Sequence, residues 1–387
     1  MSEIQNNIHG FFEHYLPFVP SDFLLPLSFA LAAVFGILLV IGRVTSAIVG
    51  LHTFITKVFG PKKVVPVVSP DPARVLRAVW LRDRNAANAV DPSPAQTMIP
   101  IISFLNMKGG VGKTTLAANI GAHFHHKGAR VLYVDFDYQG TLSLMVASTA
   151  NKDRLENNSY KLLQNKSFKD VSNSIHRFSD LPNVGLFAAH YVLFRDEMEL
   201  FANWAANNSE YDIRYALKNI LHSDDCSKGW DVVIIDCGPR FTTSTINALC
   251  ASTHVVVPAI LDEPSAQAVG YLSKEFKDHQ SELFPDLKLL GVIPTMVSRD
   301  PKHKKEPTFN DVEEEQLNGI EDAVSETWGE GEFVLRDARI PRRGPISKNA
   351  DKIAYTVDGE AKRVFARAAD ILLERLSDEG FRTSWNN

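Results

Sequence analysis

Cysteine is scarce in this chain: Cys226, Cys237 and Cys250 are the three cysteines among 387 residues, and none belongs to a CxxC pair. Such a set excludes a disulfide framework and offers no paired thiols for a zinc or iron–sulfur site. An excess of positive charge is also absent, because the formal net charge is -5, so no global basic field points to nucleic acid. Hydrophobic residues make up 45% and charged residues 22% of the chain, which excludes an intrinsically disordered protein and a fibrous repeat.

Charged side chains are missing from one long apolar stretch, residues 23–42. A helix of this length rises about 30 Å, which matches one hydrocarbon core. No Lys or Arg precedes Arg43, which argues against a cleaved signal peptide. By the positive-inside rule, the N-terminus then lies outside and the bulk of the chain in the cytoplasm. The sequence therefore predicts a single-pass anchor in the inner (cytoplasmic) membrane, with lipid contacts through residues 23–42.

A second pattern begins near residue 99. Residues 98–105 form a short apolar run that is typical of a buried parallel strand. The run leads into a glycine-rich loop and a helix predicted over residues 113–127, which is the context of a phosphate-binding loop. The loop backbone and the helix N-terminus attract an anion, Lys113 supplies charge to the β- and γ-phosphates, and the Thr114 hydroxyl can ligate Mg²⁺. The predicted nucleotide-binding residues here are Gly109, Gly110, Val111, Gly112, Lys113, Thr114 and Thr115.

The loop departs from the general pattern G-x-x-x-x-G-K-[ST] at one end. Met107 stands at the first glycine position, and Lys108 follows it. The loop therefore carries two lysines, and residues 108–115 (KGGVGKTT) resemble the deviant Walker loop of the ParA/MinD family of ATPases. In that family the first lysine reaches across a dimer interface to the partner's ATP. The resemblance implies this role for Lys108, and it implies ATP and Mg²⁺ as cofactors.

Two further stretches resemble motifs of that family. Residues 130–140 (RVLYVDFDYQG) are similar to the motif V-D-x-D-x-Q-G, and residues 230–240 (WDVVIIDCGPR) look like a Walker B strand. Carboxylates at the carboxyl ends of parallel strands lie where ligands bind. Asp135 and Asp236 are therefore predicted to hold Mg²⁺ together with Thr114. The resemblance implies that Asp137 activates the attacking water. Gly238 stands where the family has a proline.

The remaining resemblance extends to residue 376. Residues 253–269 look like the next core strand and its following loop, and residues 287–297 look like the strand after it. The region around Pro341 and Arg342 is similar to the part of the family that closes over the base, and these two residues are candidate adenine contacts. The predicted fold class is α/β: a mostly parallel, doubly wound P-loop sheet flanked by helices and preceded by one N-terminal transmembrane helix.

The predicted domain organisation follows from these patterns. Residues 73–90 are read as a basic helix exposed to solvent, with contact to anionic lipid as the alternative. The segments are a short extracytoplasmic N-terminus (1–22), the transmembrane helix (23–42), an amphipathic stalk or interfacial helix (43–60), a proline-containing linker with the basic helix (61–98), the ParA/MinD-like ATPase domain (99–376) and a C-terminal tail (377–387).

The resemblance implies an ATP hydrolase that forms a homodimer with ATP and switches the binding of an unidentified protein partner at the membrane. The alternatives are an adaptor in which nucleotide is structural, and a protein like the tyrosine kinases of polysaccharide export, although no tyrosine follows Tyr355. DNA is a less favoured partner. A basic surface for DNA would draw on Lys302, Lys304, Lys305, Arg336, Arg339, Arg342 and Arg343, while Glu313, Glu314 and Glu315 lie close in sequence.

Overall fold

The computed structural model of the protein describes residues 80–81, 99–152, 154–206, 208–298, 309–342 and 351–385. The predicted membrane span at residues 23–42 and the stalk at 43–60 lie outside the described residues. Within the described part of the chain, no helix is both long enough and apolar enough to cross a membrane.

The described residues form an eight-stranded sheet in the order β3-β4-β2-β5-β1-β6-β7-β8. Neighbouring strands run parallel except β3 and β4, which are antiparallel. This arrangement confirms the predicted mostly parallel α/β sheet. The strands are β1 (Ile101–Phe104), β2 (Val131–Phe136), β3 (His176–Arg177), β4 (Val184–Phe187), β5 (Val232–Cys237), β6 (His254–Ile260), β7 (Lys288–Val297) and β8 (Ile340–Pro341).

Helices cover both faces of the sheet. They are α1 (Lys113–His126), α2 (Thr141–Thr149), α3 (Phe168–Ser172), α4 (Val192–Ala205), α5 (Ala216–Leu221), α6 (Asp224–Gly229), α7 (Thr243–Ala251), α8 (Glu263–Leu283), α9 (Asp311–Trp328), α10 (Ala354–Val357) and α11 (Gly359–Asp378), with 3-10 turns at Ser159–Leu163 and Arg336–Ala338. Helices α1 and α11 pack on one face, whereas α4, α5, α7, α8 and α9 pack on the other.

The central strands are apolar on both sides because both sides are covered. In β1, Ile101 belongs to the hydrophobic cluster on the α4 face, while Ile102 and Phe104 belong to the cluster on the α1 face. The same alternation holds in β2 for Leu132 and Tyr133. Successive residues of a strand point to opposite faces. A strand covered on both sides therefore reads as a continuous apolar run, which is what the sequence shows.

Helix α8 begins earlier than the sequence analysis predicts. Residues 253–269 are predicted to form a strand and its following loop, but α8 starts at Glu263. The Asp262 side chain caps the helix by accepting a hydrogen bond from Ser265 N at 2.8 Å, and Pro264 lies in the first turn. An N-cap aspartate followed by a first-turn proline is a strong helix-start signal.

Packing extends beyond the predicted domain limits of 99 and 376. Trp80, which the sequence places in a solvent-exposed basic helix, is buried with 4% of its surface exposed. At the other end, Trp385 is buried, and its ring centroid lies 5.8 Å from that of Phe124 in α1. The solvent-exposed interpretation is therefore wrong at Trp80, because helix α4 supplies an aromatic surface against which this indole packs.

Candidate functional site

The loop between β1 and α1 turns tightly and ends at the first residue of the helix. Gly110 and Gly112 have φ values of 75° and 92°, a left-handed conformation that glycine adopts at little cost. Gly112 is the N-cap residue of α1, and it brings no side-chain cap. A Cβ added at Gly109 or Gly110 would meet no described heavy atom within 4 Å. The first backbone N–H groups of a helix have no partner within the helix, an arrangement that suits an anion.

Hydrogen bonds to two neighbouring strands fix the loop. Asn106 Nδ2 donates to the carbonyl of Pro258 in β6 at 2.8 Å, and Asn106 Oδ1 accepts from Lys108 N at 2.9 Å. Thr295 Oγ1 of β7 donates to the carbonyl of Val111 at 2.8 Å. Val111 is fully buried. The loop is therefore held in its conformation before any ligand binds.

Lys113 is the buried cation of the loop, with 6% of its surface exposed. Its Nζ donates to the carbonyl of Lys108 at 3.1 Å. Burial lowers the pKa of Lys113, while the carboxylates of Asp236 and Asp137 act in the opposite direction. Thr115, two positions along α1, is half-buried. An ammonium group enclosed in this way gains electrostatic energy from an anionic ligand.

Asp236 lies at the end of β5, in register with Phe104 of β1 and Asp135 of β2. Its carboxylate is fully buried, and neither oxygen has a hydrogen bond of ordinary geometry to a described residue. Burial and then the charge of Asp135 raise the pKa of Asp236 well above its usual range, while the Thr114 hydroxyl opposes that rise. A buried carboxylate beside a hydroxyl is an oxygen donor set of the kind Mg²⁺ takes. Asp236 and Thr114 therefore fit a magnesium ion.

Asp135, the other predicted magnesium residue, is occupied by protein contacts. Its Oδ2 accepts from Ser143 N at 2.9 Å and from Ser143 Oγ at 2.7 Å, and its Oδ1 accepts from Asp137 N at 3.1 Å. Burial raises the pKa of Asp135 to about 7, against the effect of these hydrogen bonds. Asp135 thus ties β2 to the first turn of α2, and its role toward a metal stays a prediction. No sequence pattern points to Ser143, since a serine near a helix start is common.

Asp137 is half-buried on the loop after β2. Its Oδ1 accepts from Gln139 N at 3.0 Å. Its Cγ lies 3.8 Å from the position that a Cβ would take on Gly238, in the segment after β5 that we call the switch loop (residues 238–242). Asp137 and Asp236 both act on the pKa of Lys113. The loop after β1 and the ends of β2 and β5 therefore place Lys113 within electrostatic reach of Asp137 and Asp236.

Lys108 has its contacts elsewhere, at the start of α8. Its Nζ donates to Asp262 Oδ1 at 2.8 Å, to Asp262 Oδ2 at 3.0 Å and to Ser265 Oγ at 2.8 Å. Burial acts to raise the pKa of Asp262, but hydrogen bonds from Lys108 and Ser265 lower the pKa below its usual value. The two lysines of the loop thus have different partners: Lys113 is enclosed by the loop, and Lys108 is held by α8.

The candidate adenine contacts lie at the far edge of the sheet. Pro341 ends β8 and pairs with Val297 of β7, and Arg342 is exposed, with its N–H donating to the Val297 carbonyl at 3.0 Å. Thr295, which bonds the phosphate loop, pairs with Ile340 of β8. The hydrogen bonds among described residues do not join Pro341 or Arg342 to the loop directly, so their contact with adenine stays a prediction.

Two arginines of the hypothesised basic surface face acidic side chains. Arg336 pairs with Glu314 at 2.6 Å and with Glu321 at 3.0 Å. Arg339 pairs with Asp337 at 3.4 Å. Lys302, Lys304, Lys305 and Arg343 lie outside the described residues. The charge of Arg336 and Arg339 is therefore largely balanced within the domain.

Gly140 offers a test of the geometry around Asp137. It has a φ of 65°, and an added Cβ would lie 2.7 Å from the carbonyl oxygen of Ala189. We expect Gly140→Ala to lower the free energy of unfolding by about 1–3 kcal/mol, because the backbone is left-handed and the Cβ collides. Urea unfolding of the purified protein measures this. Gly229→Ala is the matched control, since its Cβ would meet no described atom within 4 Å. Equal unfolding midpoints for the two variants would contradict the prediction.

The parallel sheet and the loop that encloses Lys113 define a P-loop nucleotide-binding protein. The profile of an AAA domain family matches residues 99–289. Chromosome-partitioning ATPase Soj of Thermus thermophilus is 33% identical over 195 residues, which covers 50% of this chain and 68% of that protein. Sporulation initiation inhibitor protein Soj of Bacillus subtilis is 32% identical over 197 residues, covering 51% and 72%.

A solved structure is similar over a larger part of the chain. Cobyrinic acid a,c-diamide synthase from Mycobacterium smegmatis, solved with ADP and magnesium, superposes with a TM-score of 0.53 at 27% identity and covers 75% of this chain and 100% of that one. The chain belongs to the ParA/MinD family of P-loop ATPases, which confirms the resemblance drawn from the two-lysine loop.

Proposed function

We propose that this protein is a membrane-anchored ParA/MinD-like ATPase that closes a sandwich homodimer around ATP and switches the binding of a protein partner at the cytoplasmic face. Mg²⁺-dependent hydrolysis reopens the dimer. The observation that carries the proposal is the buried Lys113 on a loop that Asn106 and Thr295 hold in place. The carboxylates of Asp137 and Asp236 are near enough to act against the lowering of its pKa. The proposed anchor is the apolar span at residues 23–42, with the N-terminus outside.

Each residue of the site has one task in the proposed reaction. The loop N–H groups and the start of α1 bind the phosphates, and Lys113 balances their charge. Thr114 and Asp236 would hold Mg²⁺, which would supply positive charge against the phosphates. Asp137 orients the attacking water and accepts its proton. Gln139 N–H fixes the orientation of the Asp137 carboxylate for that task.

Lys108 distinguishes the open state from the closed state in this proposal. In the single chain its ammonium is held by Asp262 and Ser265. In the dimer it would leave these residues for the ATP of the partner subunit. The Asp262 side chain is 45% exposed, and a pair exposed to this degree is worth at most about 1 kcal/mol. The contact is therefore weak enough to be exchanged for a phosphate.

Lys108→Ala should retain nucleotide binding and lose ATP-dependent dimerisation. The reason is that the phosphates of the same subunit keep Lys113, whereas the phosphates of the partner lose a cation. Light scattering coupled to size exclusion measures the dimer, and titration with a fluorescent ATP analogue measures binding. Dimers that persist in Lys108→Ala would show that the lysine does not act across the interface.

Asp262→Asn is the matched variant for this test. Asparagine still caps α8, but it no longer pairs with Lys108 as a charge. We expect Asp262→Asn to raise the equilibrium constant for ATP-dependent dimerisation by up to about fivefold, because Lys108 no longer has to break a salt bridge when the dimer forms. A dimer weakened by Asp262→Asn would contradict the proposed exchange.

Comparative co-purification tests the switch as a whole. Full-length Asp137→Ala, expected to hold ATP, and Lys113→Ala, expected not to bind it, are extracted from membranes, and their bound proteins are quantified. A partner found with Asp137→Ala alone supports an ATP-controlled switch. The same partners on both variants would favour the adaptor, in which nucleotide is structural. Recovery of both variants in the soluble fraction would contradict the anchor.

DNA partitioning is the second candidate, and the names of the Soj relatives favour it. The contacts of Arg336 and Arg339 with acidic side chains argue against a DNA surface at that part of the domain. A protein cargo at the membrane therefore remains our preferred partner.

A further inference from the structure

One face of helix α4 carries three large side chains, Glu197, Phe201 and Trp204. Their spacing of four and then three residues places them on the same side of a helix. Glu197 and Trp204 are buried, with 4% and 1% of their surfaces exposed, and Phe201 packs against the same core. The face therefore runs from the middle of α4 to its C-terminal end, and the two ends of this face have different partners.

The Glu197 end contacts the switch loop. Glu197 Oε1 accepts from the backbone N–H of Ser244 at 2.7 Å, in the first turn of α7. Burial, and to a smaller extent the charge of Asp137, raise the pKa of Glu197. Hydrogen bonds from Ser244 and Thr242 act in the opposite direction. Thr242 is the last residue of the switch loop. A buried carboxylate of α4 thus fixes the point where the switch loop joins α7, within electrostatic reach of Asp137.

The Trp204 end holds Trp80. The Trp80 ring centroid lies 5.4 Å from those of both Phe201 and Trp204, and its plane is 29° from that of Trp204. Arg214 Nη1 donates to the carbonyl of Trp80 at 2.5 Å, and the same guanidinium pairs with the buried Asp212. Trp80 is therefore held both by ring stacking and through its backbone.

We propose that Glu197 is a positioning residue for ATP hydrolysis and that Trp80 controls turnover through it. Glu197 sets the place of the switch loop relative to Asp137, and Trp80 holds α4 so that Glu197 can do this. The inference rests on the proposed hydrolysis by Asp137 and adds its regulation. Trp80 lies in the chain between the proposed membrane anchor and the phosphate-binding loop. A change in the position of Trp80 would therefore alter hydrolysis without any contact between Trp80 and nucleotide.

Steady-state kinetics of the full-length protein test the Glu197 step. We expect Glu197→Ala to lower kcat by at least about tenfold and to leave KM for ATP within about twofold, because a misplaced switch loop affects the reaction more than binding. Glu197→Gln should restore most of kcat, since its amide oxygen still accepts from Ser244 N–H. Glu199→Ala, two residues along on the exposed face of α4, should match the wild type. A rise in KM at constant kcat, or no rescue by Gln, would overturn the positioning role.

A double-mutant cycle tests the link to Trp80. Trp80→Ala should lower kcat by about threefold or more, and the double variant Trp80→Ala/Glu197→Ala should be no slower than Glu197→Ala alone, because coupled residues are not additive. Trp80→Phe should keep kcat near the wild-type value. Effects that multiply in the double variant would show that Trp80 acts independently of Glu197, and the proposal would fail.

Hydrogen exchange gives a readout that needs no hydrolysis. The Ser244 amide should exchange at least about tenfold faster in both Glu197→Ala and Trp80→Ala and be unchanged in Glu199→Ala. If Trp80→Ala does not fold, Trp80→Leu takes its place, with a smaller change in the same direction. If the wild type did not turn over ATP, the proposed function would be contradicted. Hydrogen exchange at Ser244 would still decide whether Trp80 and Glu197 are coupled. An unchanged Ser244 amide in the Trp80 variants would overturn the inference.

Discussion

Lys113→Ala should reduce ATP affinity by on the order of 100-fold or more, the largest loss of binding expected from a single change in the site. The substitution removes the cation that we propose to face the phosphates. In the wild type, the carboxylates of Asp137 and Asp236 favour the charged form of Lys113. In the variant, these two carboxylates no longer have the Lys113 ammonium near them. An anionic ligand would therefore lose an attraction and face an unbalanced negative charge at the same time.

Equilibrium titration with a fluorescent ATP analogue and Mg²⁺ measures this loss. Lys127→Ala is the matched control, because Lys127 lies just past the other end of α1, is 45% exposed and pairs with Asp370 at 3.2 Å. The control should bind ATP like the wild type. An affinity for Lys113→Ala within about threefold of the wild type would mean that the loop backbone alone binds the phosphates.

Asp137→Ala should give the second large effect, a fall in kcat of about 10²–10⁴ with ATP binding retained. Asp137 is half-buried, it faces the switch loop, and it makes none of the contacts that hold the phosphate loop in place. Its loss therefore removes the proposed acceptor for the proton of the attacking water and leaves the loop intact. ATP-bound dimers should accumulate for the same reason. Release of phosphate under single turnover and the oligomeric state in ATP are the two measurements.

Asp135→Asn separates this role from a structural one. Asp135 accepts hydrogen bonds from Ser143 and from the Asp137 backbone. Its substitution should therefore lower the unfolding midpoint, whereas Asp137→Ala should leave that midpoint nearly unchanged. Normal turnover in Asp137→Ala would exclude it as the water-activating residue, whatever its stability.

The parts of the site that the sequence predicts are those encoded by adjacent residues. The apolar run before Lys113 and the run ending at Asp236 give both strands, and the glycines between β1 and α1 give the loop. The sequence does not predict which distant residues hold these elements in place. Asp262 lies 154 residues from Lys108 in sequence, and Glu197 lies 47 residues from Ser244. Such pairs are brought together by the packing of helices on the sheet, which no local pattern encodes.

The burial of Trp80 is a second feature that the sequence does not predict. Its neighbours in sequence include Arg77 and Arg82, and a helix rich in arginine is typical of a solvent-exposed surface. Val75, Leu76, Val79 and Trp80 recur at helical spacing, but this pattern does not say what covers the indole. The aromatic surface of α4 and Arg214, more than a hundred residues later, decide where Trp80 lies.

The stacking of Trp80 on Trp204 also gives the protein an optical probe of its own. These are two of the chain's five tryptophans, and their rings are 5.4 Å apart at 29°. Indoles so close together couple electronically, and the resulting circular dichroism and quenched fluorescence depend steeply on their separation. Any movement of α4 against Trp80 would therefore change the spectrum of the unlabelled protein, in detergent or in vesicles, as nucleotide is added.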